Sequence, residues 1–231
     1  MSFPHFFPPL RVRSLALFGG TFDPVHRGHL AAACVARDRF RLDSVHFVVA
    51  GRPPHKSGTP LSPYPHRCAM VALACAGQPR LTLSLAEAGP DSLGHTTVYS
   101  VDLVRAYRKR LPRSAHLYFL IGADAFLDIR KWRESEALLD SCDFIVVSRP
   151  GFRMETLRAA LPKGMLAAGA ARSSALRGTL RLRRSTVHLI SSVHVDVSST
   201  GIRGRAARDL SIRSLVPAAV EEYICKQALY R

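Results

Sequence analysis

No stretch of this 231-residue sequence approaches the roughly 18 consecutive apolar residues that a membrane-spanning helix requires. The amino terminus, MSFPHFFPPLRVR, also lacks the basic start and long apolar centre of a secretory signal. The five cysteines are odd in number, scattered and mostly within apolar segments, which favours buried free thiols over a disulfide framework or a cysteine metal site. We therefore expect no membrane association and a location in the cytoplasm.

Acidic residues are in short supply. The chain has 33 Lys and Arg against 17 Asp and Glu, a net charge of +16, which attracts anionic partners such as phosphate-bearing substrates. Nucleic acid is the alternative partner, but the main concentration of arginines, residues 172–184, lies among serines and alanines rather than beside stacking aromatics. We favour a small anionic substrate and expect no nucleic-acid partner.

Two well-known phosphate-binding motifs are absent. The first apolar strand is followed by neither G-x-x-x-x-G-K-[ST] nor G-x-G-x-x-G, which excludes a P-loop and a dinucleotide-binding fingerprint. A G-x-S-x-G nucleophile elbow is also missing, and no other side chain stands out as a nucleophile. If the substrate is a phosphate compound, this favours direct in-line displacement at phosphorus over a covalent enzyme intermediate. Catalysis would then depend on positioning and charge stabilisation.

What the sequence does contain is the stretch from Leu15 to Leu30, LALFGGTFDPVHRGHL. Its short apolar run predicts a buried strand that ends at Gly19 and Gly20, where the missing side chains let the backbone approach a ligand. A turn follows, and a helix is predicted from near Gly28. A glycine turn beside the unpaired N–H groups of a helix start is typical of a phosphate site.

His26 and His29 lie three residues apart at the predicted start of this helix. If both lie at the helix entry they face the same side, so two imidazoles can donate hydrogen bonds to one polyphosphate. A zinc pair and a surface turn are the alternatives. Zinc is the weaker one, because it needs three or four ligands and no Cys or His cluster accompanies these two residues.

Apolar runs that alternate with helical patterns predict an α/β fold with a mainly parallel sheet and helices on both faces. Because ligands collect at the carboxyl ends of such strands, polar residues that follow them are candidates for the site. Lys56 could reach the same anion as the histidines, Asp124 could accept both hydroxyls of a ribose or cap a helix, and Arg149 could bind phosphate in a bidentate way. The single tryptophan, Trp132, lies among charged residues, so its face could stack on a heteroaromatic ring, although a core position is the alternative.

A second helix start is predicted at Ser199 and Thr200, followed by Arg203. Capping alone would explain the hydroxyls, but Ser, Thr and Arg at a helix amino terminus also make a second anion site. Polyphosphate transfer needs donors from two sides, so this helix could complete the site.

The chain is predicted to form one domain, residues 14–231, preceded by an irregular extension at 1–13 that is rich in proline and phenylalanine. Residues 163–185 are dominated by Ala, Ser, Gly and Arg, which predicts a flexible basic insertion. The oligomeric state stays open, with a homo-oligomer among the options.

Several segments together resemble the bacterial nicotinate-nucleotide adenylyltransferases, members of the H-x-G-H nucleotidyltransferase superfamily. In chain order they are GGTFDPVHRGHL, AGRPPHK, HRCAM, YFLIGADAF with KW, FIVVSRPG, SSTGIR and LVPAAVEEYICKQALY. They run from about Leu15 to Tyr230 and leave out the amino-terminal extension and the insertion. Two departures are visible: residues 98–104 keep only part of the family pattern S-Y-T-x-D-T-L, and Asp209 stands near a position where the family has glycine.

The resemblance implies a Rossmann-like nucleotidyltransferase fold. The implied reaction joins ATP and nicotinate mononucleotide to give deamido-NAD and pyrophosphate, with Mg²⁺ bound through the ATP phosphates and no metal held by protein residues. It also implies three sets of residues. The catalytic set is His26, His29 and Arg203. The ATP-binding set is Gly19, Gly20, Thr21, Phe22, Lys56, Gly122, Asp124, Ser199 and Thr200. The set for the mononucleotide is Thr97, Tyr99, Trp132, stacking on the pyridine ring, and Arg149, binding the phosphate.

Two rival functions remain open at this point. A sister adenylyltransferase would act on nicotinamide mononucleotide or phosphopantetheine, and the context of Trp132 and Arg149 favours a pyridine nucleotide over it. An RNA-binding protein that has lost catalysis would bind RNA in a salt-sensitive way that ATP does not affect. Retention of both His26 and His29 argues against the second rival.

Overall fold

The protein alternates strands and helices, which confirms the predicted α/β class. The structure is a computed structural model that describes residues 12–53, 60–88, 97–148, 151–168, 178–191 and 196–231. The strands are β1 (Ser14–Gly20), β2 (Ser44–Val49), β3 (Leu81–Ser84), β4 (His116–Gly122), β5 (Asp143–Val147), β6 (Thr179–Arg181) and β7 (Thr186–Ile190). The helices are α1 (Arg27–Arg39), α2 (Tyr64–Cys75), α3 (Ser100–Arg110), α4 (Ala123–Leu127), α5 (Ser135–Ser141), α6 (Met154–Ala160), α7 (Ser199–Ala206) and α8 (Ala218–Lys226).

All seven strands form one sheet in the order β3-β2-β1-β4-β5-β7-β6. Every pairing is parallel except that of β6 with β7 at one edge, which confirms the mainly parallel sheet. The chain runs outward from β1 through β2 to β3, and then returns to place β4 on the other side of β1. Ligands of open α/β sheets bind at such a reversal, in the crevice beyond the carboxyl ends of the strands.

Helices cover both faces of the sheet, as predicted. On β1, Leu15 and Leu17 point into the core beneath α3, α4, α5 and α6, whereas Ala16 and Phe18 point into the core beneath α1, α2, α7 and α8. Side chains that alternate between two buried faces explain why the central strands are continuous apolar runs. None of the helices in the described ranges combines the length and apolar character needed to cross a membrane.

The flanks of the predicted basic insertion pack on the domain. Met165 is fully buried, Leu180 is 3% exposed, and β6 adds an antiparallel edge strand beside β7. The prediction of a flexible segment therefore does not describe these flanks, because apolar residues spaced along a Ser-, Ala- and Arg-rich stretch still reach the core. Residues 169–177 of the insertion and 1–11 of the amino-terminal extension lie outside the described ranges.

Asp209, which stands near the position of a family glycine, has φ +51°, in the left-handed region. Its N–H donates to the carbonyl of Ala206 at 3.0 Å, and the next N–H, of Leu210, donates to the carbonyl of Arg205 at 2.9 Å. Glycine adopts this conformation without strain, and aspartate is among the few other residues that tolerate it. The turn after α7 thus keeps a left-handed conformation without the glycine.

A buried arginine ties together the ends of the two strands that border the crevice. Arg67 on α2 is only 2% exposed. Its guanidinium donates to four backbone carbonyls at 2.6–3.0 Å: those of Thr21 after β1, Ala50 and Gly51 after β2, and Ser62 before α2. A single side chain therefore fixes the backbone of both loops relative to each other.

Replacing this side chain tests how much the loops depend on it. Arg67→Leu should lower the free energy of unfolding by about 3 kcal/mol or more, because it leaves several buried carbonyls without donors. Arg105→Leu is the control, since Arg105 is half exposed and pairs with Asp102 and Glu134 at the surface, and it should cost no more than about 1 kcal/mol. Urea unfolding measures both, and equal midpoints for the two variants would contradict the role of Arg67.

Candidate active site

The turn between β1 and α1 brings two histidines into direct contact. His26 is the N-cap of α1, and its Nδ1 accepts a hydrogen bond from the N–H of His29 at 3.4 Å. In return the N–H of His26 donates to Nδ1 of His29 at 3.2 Å. The arrangement is a capping box in which both partners are histidines, in place of the usual Ser or Thr with Glu or Gln. It stacks the two imidazoles with ring centroids 3.7 Å apart and an angle of 22° between the planes.

This capping box fixes the protonation of the rings. Because Nδ1 of each ring accepts from a backbone N–H, a neutral ring must hold its proton on Nε2. His26 is 7% exposed, and burial lowers the pKa of its imidazole from 6.5 to about 4, so the ring is neutral at pH 7. His26 and His29 can therefore present two Nε2–H groups side by side, which is the donor pair predicted from their spacing.

The absence of a side chain at Gly28 makes space for the His26 ring. A Cβ atom on Gly28 would lie 3.0 Å from Cγ1 of Val197 and 3.1 Å from both Cε1 and Nδ1 of His26. Real Cβ atoms rarely approach other atoms this closely, so the His26 imidazole would have to move. The glycine of the H-x-G-H pattern is explained by this close approach of the ring.

The Phe22 side chain packs against the glycine turn on its core side. Its φ is +51°, and its side chain is 2% exposed, packed against Phe18 and Phe47 and edge-on to the His29 ring at 5.0 Å. The ring also lies over Gly20, where a Cβ would come within 2.7 Å of Cζ of Phe22. Phe22 is thus a core side chain, so only its backbone, with that of Thr21, is left to meet a nucleotide.

The second predicted helix start lies next to the first. Ser198 caps α7 by accepting from the N–H of Gly201 at 3.1 Å. Ser199 Oγ then donates to the carbonyl of Pro24 at 3.0 Å, and Arg203 Nη1 donates to the carbonyl of Asp23 at 2.8 Å. These residues therefore hold the turn that leads to His26, a role that the sequence had not indicated. Arg203 Nη2 also lies 3.4 Å from Thr200 Oγ1, so these two predicted residues are adjacent.

The end of β4 places a further group of predicted residues at the crevice. Gly122 is the N-cap of α4, and Asp124 is exposed in its first turn. Phe119, in the middle of β4, connects this side to β1: its Cζ would lie 3.4 Å from a Cβ on Gly19, and its ring meets Trp132 edge to face at 6.1 Å. Trp132 is partly buried and packs against the core on this face of the sheet.

Tyr99, one of the predicted mononucleotide residues, lies on the same face of the sheet as Trp132. Tyr99 is the N-cap of α3 and packs against the core cluster that also contacts Trp132. The guanidinium of Arg133 lies over the Tyr99 ring, 4.7 Å from its centroid. Thr97 is partly buried two residues earlier. Lys56 and Arg149 lie outside the described residues.

Sequence reasoning gave no role to two residues that hold the site. Arg67 belongs to the quoted HRCAM segment, and its place one helical turn before Met70 and Val71 on the buried face of α2 was an available signal. Tyr230 donates to the carboxylate of Asp23 at 2.7 Å. No local pattern could indicate that contact, because 207 residues separate the two partners.

Over the part of the chain that is described, no group of three or more His, Cys, Asp or Glu side chains could hold a metal ion. His26 and His29 each accept a backbone N–H at Nδ1, and Phe22 packs edge-on to the His29 ring. With Nδ1 occupied in this way, the two stacked rings are oriented as a pair of hydrogen-bond donors.

Comparison with known proteins decides the family. Residues 17–205 match the model of the family described as cytidylyltransferase-like. A protein of Geobacter sulfurreducens, named as a probable nicotinate-nucleotide adenylyltransferase, is 42% identical over 214 residues, 93% of this chain and 96% of that protein. A Thermus thermophilus protein of the same name is 40% identical over 217 residues, 94% of this chain and 99% of that protein. This chain belongs to the nicotinate-nucleotide adenylyltransferase family.

Solved structures share the fold. The nicotinic acid mononucleotide adenylyltransferase of Plasmodium falciparum complexed with NaAD matches with a TM-score of 0.70, and the complex of the same enzyme with APC with 0.67. Each match covers 94% of this chain and 97% of the other at 19% identity, which is evidence for the fold alone. The predicted nucleotidyltransferase fold is thereby confirmed.

Gly28→Ala tests the close approach found at the start of α1 in this member of the adenylyltransferase family. The added methyl group should displace the His26 ring and lower kcat about 10-fold or more, since small misplacements of catalytic groups are costly. Gly204→Ala in α7 is the matched control, because its Cβ would meet only the end of the Arg208 side chain at 3.9 Å. Steady-state kinetics compare the two, and a Gly28→Ala variant as active as Gly204→Ala would refute the packing argument.

The low pKa of His26 predicts a pH dependence of stability. Below pH 6.5 His26 becomes protonated in the unfolded chain, whereas in the folded protein it stays neutral down to about pH 4. The free energy of unfolding therefore falls as the pH falls through this window. Between pH 7 and pH 5 the loss from this residue is about 2 kcal/mol. His26→Asn keeps a good N-cap residue but cannot titrate there, so its unfolding free energy should fall by about 2 kcal/mol less over the same range. Urea unfolding at both pH values measures the difference, and equal losses would show that the His26 pKa is not depressed.

Proposed function

We propose that this protein transfers the adenylyl group of ATP to nicotinate mononucleotide, giving deamido-NAD and pyrophosphate. The observation that carries the proposal is the pair of histidines in a mutual capping box, beside a glycine turn at the reversal of strand order. The names of the curated relatives and the NaAD in the Plasmodium falciparum structure support the substrate class.

The reaction needs no covalent enzyme intermediate. A phosphate oxygen of the mononucleotide attacks the α-phosphorus of ATP, a new P–O bond forms, and the bond from the α-phosphorus to the bridging oxygen breaks on the opposite side. Negative charge moves onto the departing pyrophosphate. ATP enters as its Mg²⁺ complex, and the metal neutralises part of the phosphate charge.

The protein contributes donors that meet this developing charge. The Nε2–H groups of His26 and His29 donate to the phosphate oxygens, and the positive end of the α1 dipole adds to their effect. Arg203 and the hydroxyl of Thr200 supply donors from the second side. The single O–H of Ser199 donates to the carbonyl of Pro24, so this residue holds the turn instead of the phosphate. Because the His26 ring is neutral, it stabilises charge by hydrogen bonding without first having to bind a proton.

The remaining predicted residues divide between the two nucleotides. In this proposal Gly19, Gly20, Gly122 and Asp124 border the ATP side, where Asp124 accepts from the ribose hydroxyls. Thr97, Tyr99 and Trp132 border the pyridine ring, and Trp132 offers a face for stacking. Lys56 and Arg149 stay predictions for the polyphosphate and for the mononucleotide phosphate.

We also propose that the reaction takes place in the cytoplasm. The five cysteines are all free in this structure, and two of them, Cys75 and Cys142, are buried thiols whose pKa is raised to about 12. Unpaired cysteines suit a reducing compartment.

Substrate competition tests the proposed function. The purified protein, with ATP and Mg²⁺, should release pyrophosphate and form a dinucleotide with nicotinate mononucleotide in strong preference to nicotinamide mononucleotide. Activity only with the amide would overturn the specificity, and activity only with phosphopantetheine would assign the protein to the sister enzyme. Salt-sensitive binding of RNA that ATP does not affect, with no product from any substrate, would favour the RNA-binding alternative.

His29→Ala tests the donor role within that reaction. The substitution removes one phosphate donor and one half of the capping box, so kcat should fall about 10²-fold or more. His66→Ala is the control, since the Nδ1 of His66 contacts the hydroxyl of Tyr223 at 2.9 Å on the outer helices, and its kcat should stay close to that of the unaltered protein. Near-normal turnover by His29→Ala would remove His29 from catalysis.

A further inference from the structure

The carboxylate of Asp23 is buried inside the turn that leads from β1 to His26. The residue is 1% exposed. Its Oδ1 accepts from the hydroxyl of Tyr230 at 2.7 Å, and its Oδ2 accepts from the N–H of Ser62 at 3.2 Å. Its carbonyl accepts from Arg203. Asp23 is thus held by three separate parts of the chain, and its carboxylate points into the protein rather than toward the crevice.

Tyr230 reaches Asp23 through an unusual path of the backbone. After α8 ends at Lys226, the chain passes through Ala228 with φ +47° and Tyr230 with φ +69°. Left-handed conformations are strained for such residues, and they persist only where the surrounding structure holds them. The Tyr230 side chain packs beside the buried core under α2 and α8, with its hydroxyl 3.9 Å from the sulfur of Met70.

We propose that Tyr230 is a positioning residue for the adenylyl transfer. Its hydroxyl, through the hydrogen bond to Asp23, fixes the turn from the end of β1 to His26, called the catalytic turn below. This inference rests on the proposed function. Pro24 and Val25 are all that separate Asp23 from His26, so a shift of the Asp23 side chain moves the N-cap of α1 and with it both imidazoles. Burial raises the pKa of the Tyr230 phenol, so the group stays a neutral donor throughout the working pH range.

A purely stabilising role would have different consequences. If Tyr230 only filled space and added stability, loss of its hydroxyl would lower the melting temperature but leave kcat unchanged while the protein stayed folded. If it positions the turn, kcat falls in the folded protein while KM for ATP changes little, because the histidine donors act mainly in the transition state.

Tyr230→Phe keeps the ring and removes the donor. We expect kcat to fall about 10-fold, with KM for ATP unchanged within a factor of about two. Tyr223→Phe is the matched control, since it removes a tyrosine hydroxyl with a hydrogen bond of 2.9 Å to His66 from the same carboxyl-terminal part of the chain, and it should keep the original kcat. Both are assayed well below their melting temperatures. An unchanged kcat for Tyr230→Phe would overturn the proposal.

Two truncations provide a second test. Removal of Arg231 alone deletes an exposed side chain that pairs with Asp209 at the surface, and kcat should persist. Removal of both Tyr230 and Arg231 deletes the donor, and kcat should fall at least as far as in Tyr230→Phe. Equal activity of the two truncated proteins would contradict the positioning role.

A readout without substrates separates this proposal from the proposed function. With ¹⁵N-labelled histidine, the ring resonances of His26 and His29 should shift in Tyr230→Phe and stay in place in Tyr223→Phe. Resonances that do not move would overturn the positioning role even if the enzyme is active. An unaltered protein that makes no dinucleotide but shows the expected shifts would refute the proposed reaction and leave the structural coupling intact.

Discussion

The pair of hydrogen bonds between His26 and His29 is the constraint on which the rest of the site depends. Each Nδ1 accepts the backbone N–H of the other residue, so one contact caps α1, orders the two rings in a stack and assigns the proton of each neutral ring to Nε2. A conventional Ser and Glu capping box would start the helix equally well but would place a carboxylate, which repels phosphate, where His29 stands. In the proposed function the helix start therefore serves both folding and phosphate binding.

This contact keeps its geometry because the turn before it is held from several directions. Arg67 binds the carbonyl of Thr21 from α2, Arg203 binds the carbonyl of Asp23 from α7, and Tyr230 binds the Asp23 carboxylate from the end of the chain. Each contact joins a distant segment to the same few residues after β1. The catalytic turn is thus fixed by tertiary structure rather than by its local sequence, which suits a reaction that relies on positioning and electrostatic stabilisation.

The local patterns were enough to predict β1, the starts of α1 and α7 and the mainly parallel sheet, because buried apolar runs and caps are short-range signals. They also placed His26 and His29 on one side of a helix start. The structure then explained the glycine between them, because the His26 ring lies too close to Gly28 to leave room for a Cβ atom. The contacts of Arg67 and Tyr230 were not predictable in this way, since they join segments far apart in the chain and depend on three-dimensional packing. Composition misled us at the flanks of the 163–185 segment, where a few apolar residues such as Leu180 decide the structure. At Asp209 the sequence departs from the family pattern but the structure does not, since the turn is left-handed although aspartate stands where the family has glycine.

The most direct test of the central claim is the tautomeric state of the two histidines in the ligand-free protein at pH 7. Two-dimensional ¹H–¹⁵N spectra of histidine-labelled protein distinguish a protonated ring nitrogen from an unprotonated one, and substitution of His26 or His29 assigns the signals. We predict neutral rings with the proton on Nε2 and an unprotonated Nδ1 for both residues. An imidazolium at His26, or a proton on Nδ1 of either ring, would contradict the mutual capping box and the donor pair that follows from it.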